Sequence, residues 1–272
     1  MTARSAVLRD QDKHFDITPH FCNRVMSPPD LAAKVANMRE PLRPEGCSRL
    51  LSRGYVLMGA VDRASFFEIQ RVVEDWVIFR DSGQFDRLMS LWHDDGRMMT
   101  TWAQVSASEF VARSRMAFAN GAMVNHSLSG CHIDIVGDRA IAQTKMSITQ
   151  RGAIDGIVCD ATCDGRFYDF FERRDGEWRI FLRQPIYERD RISPVEPGTA
   201  PVFDQAVLQQ FPEGYRYLAY LQTKLGMVVK TDMPGLRGPE IEALYARGAQ
   251  WLAGDAERAE MSVACSENGG AS

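Results

Sequence analysis

Four polar side chains in the middle of the chain have the types and settings that acid–base chemistry needs. His126 lies in VNHSLSG (124–130), a string with little else polar at its start. An imidazole in such a place is either a satisfied structural histidine or a group that moves protons near neutral pH. Asp81 directly follows a helical pattern and suits equally a helix-ending turn. A carboxylate that accepts from one imidazole nitrogen fixes the tautomer and leaves the other nitrogen to move a proton. Lys145 is the sole lysine of residues 61–195, which hold 16 arginines. It alternates with Ser147 and Thr149, opposite Ala140, Ala142, Met146 and Ile148, so plain period-2 reading sends it to solvent. Arg183 is ambiguous in the same way, on a stretch where Trp178, Ile180 and Leu182 form the apolar set. Exposure is the usual fate of Lys and Arg, and a pocket is the alternative.

Other residues could surround such a centre. Arg166, Phe167, Tyr168 and Asp169 are consecutive, so either Arg166/Tyr168 or Phe167/Asp169 faces inward. Trp102, Tyr187 and many Phe and Met residues could line an aromatic-binding cavity or simply pack as core. His93, beside Asp94-Asp95 at the expected end of a helix, suits a structural role at the dipole. Six scattered cysteines, with a lone CxxxC at Cys159 and Cys163, lack the paired spacing of a zinc site and read as reduced thiols. No GxGxxG, Walker A, GxSxG or HExxH string occurs, so nucleotide cofactors and the commonest hydrolase and zincin sites have no support.

The elements that must position these residues are legible from periodicity. Residues 64–80 repeat apolar positions at helical spacing, and DSGQ (81–84) breaks the pattern. Residues 85–96 read as a short helix stopped at Gly96, and RMMTTW as a strand. Ser106 and Glu109 form a capping box for a third helix running to Gly121. Four extended stretches follow, 123–136, 139–151, 157–173 and 177–190. Gly137-Asp138 and Asp175-Gly176 suit tight hairpin turns. Helices segregated from an antiparallel meander make an α+β domain. After a Pro/Gly linker at 196–204, helices are expected at 213–226 and at 239–254, the latter with Pro239 in its first position. The organisation is thus an irregular N-terminal arm (1–61) with one helix near DLAAKVANMRE, a central domain (62–192) and a helical C-terminal extension (193–272).

The chain has 272 residues and a net charge of −4, which excludes a global bias toward nucleic acid. No apolar run approaches the roughly 20 residues of a membrane helix, and no apolar signal region is visible at the start. The expected location is the cytoplasm.

Three strings, FRDSGQFDRLMSLWHDDG (79–96), VNHSLSG (124–130) and GRFYDFFERRDGEWRI (165–180), resemble the SnoaL-like branch of the NTF2-like superfamily. They fall in family order at family spacing, across roughly residues 62–192. Within that branch the segment is most similar to scytalone dehydratase. The resemblance implies a cone-shaped α+β barrel whose interior is the pocket. It implies a catalytic Asp at the end of the first helix and a catalytic His opening a strand after the third, here Asp81 and His126. The family's tyrosine before the Asp is Arg80 here, its second pocket histidine falls near Thr149, and a pocket asparagine falls near Phe167. The resemblance also turns Lys145 and Arg183 into the pocket, against the plain alternation. The long form with a Lys/Arg-bearing pocket is similar to bacterial diarylpropane lyases of the superfamily, which act without cofactor on lignin-derived aromatic dimers.

The function implied is a cofactor-independent lyase that removes water from a hydroxylated aromatic compound, with deformylation of a diarylpropanediol to a stilbene as its extended form. Asp81 and His126 would shuttle protons, and Lys145 or Arg183 would stabilise a phenolate or alkoxide. Arg80, Trp102, Thr149, Phe167, Tyr168, Asp169 and Tyr187 would contact substrate. No metal or cofactor is expected, and no nucleic acid or membrane partner. A dimer or trimer of this chain is expected. A non-catalytic ligand-binding protein and an isomerase or cyclase on a polycyclic ketone are the competing functions, since this fold hosts many.

Overall fold

The computed structural model describes residues 62–254. The expected N-terminal arm and the chain beyond residue 254 lie outside the described residues. Helix α1 (Arg63–Asp81) starts where Asp62 accepts from the Ser65 backbone N–H. Its apolar spacing buries Ile69, Val73, Trp76 and Val77 on one face, and Arg80 continues that face. Helix α2 (Phe85–Ser90) is shorter than the 85–96 expected. Trp92 to Met99 instead form strand β1, which runs parallel to β6 (Glu177–Pro194). Gly96 is therefore not a helix stop. It sits at an irregularity of β1, where a Cβ would come within 2.8 Å of the His93 carbonyl. His93 is on the strand and buried, its Nε2 2.9 Å from the Glu172 carbonyl.

A three-residue strand β2 (Gln104–Ser106) leads into helix α3 (Ala107–Ala119), whose first turn Ser106 caps by accepting from the Glu109 N–H. The meander follows as expected, with β3 (Met123–Val136) at its expected bounds and β4 (Arg139–Ile154), β5 (Ile157–Arg174) and β6 each running further than expected. The sheet order is β2-β1-β6-β5-β4-β3, antiparallel except for the β1–β6 pair. Helices α1 to α3 on one side of this curved six-stranded sheet give an α+β cone. Trp76 of α1 stacks on Phe110 of α3 and meets Phe167 of β5 edge-on, at centroid distances of 6.0 and 5.5 Å.

The C-terminal extension covers two parts of the cone. A short helix α4 (Gln205–Leu208), a 3-10 turn (Glu213–Tyr215) and helix α5 (Arg216–Lys224) replace the single helix expected at 213–226. Close backbone approach explains the tighter start, since a Cβ on Gly214 would lie 2.3 Å from the Tyr187 carbonyl. Thr101 donates to Gln222 of α5, and Gln222 donates to Gln150 of β4, so α5 is tied to both sides of the opening. Helix α6 (Pro239–Ala253) closes on Gly254 in the left-handed conformation and packs on the outer face of the sheet. Its Ile241, Leu244 and Trp251 bury against Phe170, Phe181 and Ile186. Trp251 is fully buried, stacks on Phe181 at 5.1 Å and donates to the Phe171 carbonyl. Trp251→Ala should destabilise the protein by about 3–5 kcal/mol, read from urea denaturation. An unchanged midpoint would make α6 a detachable appendage.

Among the described residues no helix is long and apolar enough to cross a membrane.

Candidate active site

Asp81 is the last residue of α1 and His126 lies near the start of β3, the edge strand. The carboxylate bridges two groups of the same residue: Oδ2 accepts from the His126 backbone N–H at 2.6 Å, and Oδ1 lies 2.8 Å from Nδ1. The backbone bond fixes the carboxylate where the strand begins. The ring bond then makes Nδ1 the protonated nitrogen and leaves Nε2 as the nitrogen with a lone pair. The imidazole is 5% exposed and packs edge-on against Trp76 at 5.4 Å. Burial pushes its pKa below the ordinary value of 6.5, against the raising effect of Asp81, and the cations Arg80 and Arg183 push it the same way as burial. The dyad at rest is thus a neutral imidazole oriented by a carboxylate, a base in waiting.

His126 lines an inner chamber of ≈ 80 Å³. Its walls are mainly aromatic and methionine side chains: Trp76, Trp102, Phe110 and Phe167, with Met98 and Met146. Polar groups are few. Gln150, Thr100 and Tyr187 reach it, and Tyr187 is 3.2 Å from the Thr100 hydroxyl. Burial raises the Tyr187 hydroxyl far above its usual range, so it stays protonated. Met227, from the segment after α5, completes the wall. A rim groove of ≈ 370 Å³, lined by Asp81, Asn125, Thr149, Arg151 and Asp160, meets the chamber at Arg80, Ala122 and Val124.

The expected site residues divide. Asp81, His126, Arg80, Trp102, Phe167 and Tyr187 come together around the chamber or its throat. Lys145 does not: it is exposed and lines an outer groove with Ser147 and Asp164, while Met146, Ile148 and Gln150 point inward. The plain alternation was the correct guide on β4, and the inward turn implied by resemblance is overturned. Thr149 shares the outward set, hydrogen-bonded to Thr162 and facing the rim groove rather than the chamber. Tyr168 lies on the outer face under α6, 5.6 Å from the Tyr245 ring, with its hydroxyl pushed up by burial to about 12. Phe167 and Asp169 are thus the inward pair of the two alternatives.

Arg183 is inward but not a chamber wall. It is 0% exposed and forms two 2.7 Å bonds to Asp169, its cross-strand neighbour. Its guanidinium lies 4.0 Å from the Phe167 ring centroid and 4.3 Å from that of Trp76. Burial pushes the Asp169 carboxyl up, and Arg183 pulls it back. The pair sits behind the aromatic wall, so neither residue touches a chamber ligand. Both therefore leave the set of direct catalytic and substrate contacts.

Several walls escaped the sequence reading. Trp76 lies four residues before the expected Arg80 on the buried face of α1, a signal that helical spacing carries. Met227 had no signal, because it follows the helix in an irregular segment. Among the described residues no cluster of three or more His, Cys, Asp or Glu side chains is arranged to hold a metal ion.

Residues 64–184 match the SnoaL-like domain family. An uncharacterized protein of Emericella nidulans is 36% identical over 203 residues, covering 69% of this chain and 85% of that protein. Pea pathogenicity protein 2 of Fusarium vanettenii is 34% identical over 199 residues, with the same coverages of 69% and 85%. A candidate scytalone dehydratase from Novosphingobium aromaticivorans is 16% identical in structural alignment, covering 53% of this chain and 95% of that one with a TM-score of 0.41. Residues 64–184 thus carry a SnoaL-like domain, and the long matches to its relatives show that the chain belongs to one family with the pea pathogenicity protein 2-like proteins.

Proposed function

We propose that the protein is a cofactor-independent lyase that removes water from a hydroxylated aromatic compound. The observation that carries this reading is the oriented, neutral imidazole of His126 opening into an aromatic-walled chamber. Nε2 takes the proton from the carbon beside the carbinol, and Asp81 stabilises the imidazolium that forms. The imidazolium returns that proton to the departing hydroxyl. One C–H and one C–O bond break, one C=C bond forms, and water leaves. In a para-hydroxylated diarylpropanediol the phenol gives up its proton in place of the carbon, Nε2 passes it to the departing benzylic hydroxyl, and loss of water gives a quinone methide. Nε2 then takes the proton of the terminal hydroxyl, the C–C bond breaks to release formaldehyde, its electron pair forms the C=C bond and restores the aromatic ring as a phenolate, and the imidazolium returns the proton to that oxygen to give the stilbene.

The chamber is smaller than the ~150 Å³ of an engineered cavity that binds benzene. A ring therefore enters by displacing the flexible Met98, Met146 and Met227 side chains, and the rest of the molecule lies in the rim groove. We expect this protein to act as a dimer or trimer of identical chains, measurable by light scattering.

The direct test is incubation with a panel of hydroxylated aromatic monomers and dimers, following a conjugated product by absorbance and formaldehyde by derivatisation. No product from any member would favour a ligand-binding role. For an active substrate, kcat/KM should stay on its plateau at pH 7 and fall on acidification, with the limb below 6.5 because burial lowers the His126 pKa. An acid limb above 6.5 would contradict a buried imidazole base.

A further inference from the structure

Arg80 is a buried cation that the dyad does not use. It is 7% exposed and lines both the inner chamber and the rim groove, at the throat where they meet. Among the described residues it has no hydrogen-bond acceptor, no carboxylate within ion-pair distance and no ring beneath it; only burial and the charge of the adjacent Asp81 act on it. The nearby acceptors are already engaged. Both Asp81 oxygens hold His126, Gln150 accepts from Gln222, and Tyr187 pairs with Thr100. The other cation of the rim, Arg151, is held by Asp160 through two 2.7 Å bonds.

An unpaired guanidinium held largely out of water is destabilising to the empty protein, since its partial desolvation is not offset by an anion. Such a group is retained where a ligand supplies the anion. The planar fork of donors matches a carboxylate through two parallel bonds. A single uncommitted cation at a narrow throat suits one monoanionic group, whereas a phosphate dianion would call on more than one.

We infer that Arg80 anchors a carboxylate of the substrate, so that the compound taken by this protein is an aromatic acid with its ring in the chamber and its carboxylate at the throat. The inference rests on the chamber being the substrate site, and it narrows the hydroxylated aromatics to those that carry an acid group. The anchor also sets direction. With the carboxylate at Arg80, the carbons next to it lie beside His126, where the proton is taken.

The test is calorimetric titration of the full-length protein with 3-phenylpropanoate and with 3-phenylpropanamide, which share a ring and length but differ in charge. The acid should bind wild type at least about tenfold tighter than the amide. The preference should persist in His126→Gln and vanish in Arg80→Gln. Without ligand, Arg80→Met should melt higher than wild type, since it removes an unpaired buried charge. Equal affinity for acid and amide, failure of the acid to bind, or a preference that survives Arg80→Gln would each overturn the inference. A lower melting temperature in Arg80→Met would do the same by making Arg80 structural. These are binding measurements, so an inactive dyad leaves them intact, and an active dyad without acid preference removes only the carboxylate.

Discussion

His126→Gln should lower kcat on an active substrate by on the order of 100-fold or more, the size of a general acid–base contribution, with an unchanged circular dichroism spectrum. Glutamine keeps the volume and polarity of the site but cannot take and return a proton. Asp81→Asn should approach the same loss by a different route. The amide still bonds to the His126 backbone N–H only if its oxygen takes the place of Oδ2, which turns its NH2 toward Nδ1. That arrangement moves the ring proton to Nε2, and the base points the wrong way. The two losses should not add in the double variant, because both remove one unit. Near-wild-type turnover in His126→Gln would retire the proton shuttle, and independent additive losses would separate the two residues.

The second large effect belongs to the buried Asp169–Arg183 pair and is one of stability. Asp169→Ala should destabilise the protein by about 3–5 kcal/mol, the typical result of stranding one member of a buried ion pair. Both residues are 0% exposed, and Nη1 of Arg183 already lacks a partner, so the guanidinium has nowhere to turn. Asp169→Leu combined with Arg183→Met should recover much of that loss, since a pair of apolar side chains removes the desolvation burden of both charges. Urea denaturation of single and double variants checks the sign and the coupling. A loss below about 1 kcal/mol in Asp169→Ala would mean that water reaches the pair. The pair also supports the chamber wall, since Arg183 lies against both Trp76 and Phe167. The double variant should therefore bind ring compounds differently even where its stability is restored.

Much of this was legible in residue spacing. The period of α1, the Ser106 cap, the glycine-marked turns and the alternation of β4 each depend on neighbours within a few residues, and each took its expected form. Lys145 and Thr149 show the limit of resemblance: a family pattern turned them inward, while alternation with Met146 and Ile148 turned them out, and the local physics held. The end of α2 was misread because Gly96 looks like a helix stop. Its cause is a strand irregularity that exists only once β1 lies beside β6. Arg183 was ambiguous for a similar reason. Trp178 and Ile180 pack inside the cone, whereas Leu182 packs outside under α6, so they are not one apolar set. The pairing of Asp81 with His126, across 45 residues, is a tertiary fact that no local pattern carries. It was reached through likeness to a family.

The irregularity at Phe181 has a reach beyond its own strand. Across the β5–β6 ladder Phe171 faces Ile180 and Phe170 faces Leu182, which leaves Phe181 as the surplus residue. One unpaired residue thus shifts the parity of everything downstream to the next irregularity. It delivers Arg183, Pro185 and Tyr187 to the interior, and leaves Leu182 and Ile186 for α6. The chemical character of the cavity is in this sense a matter of phase. Loss of a single codon at 181 would remove the surplus residue and leave Phe171 opposite Ile180, Phe170 opposite Leu182 and Asp169 opposite Arg183, so each downstream side chain would keep its face and only the local bend would go. A strand built this way can therefore gain or lose one residue at the bulge while its interior keeps the same chemistry, a tolerance of length that substitution-by-substitution comparison would miss.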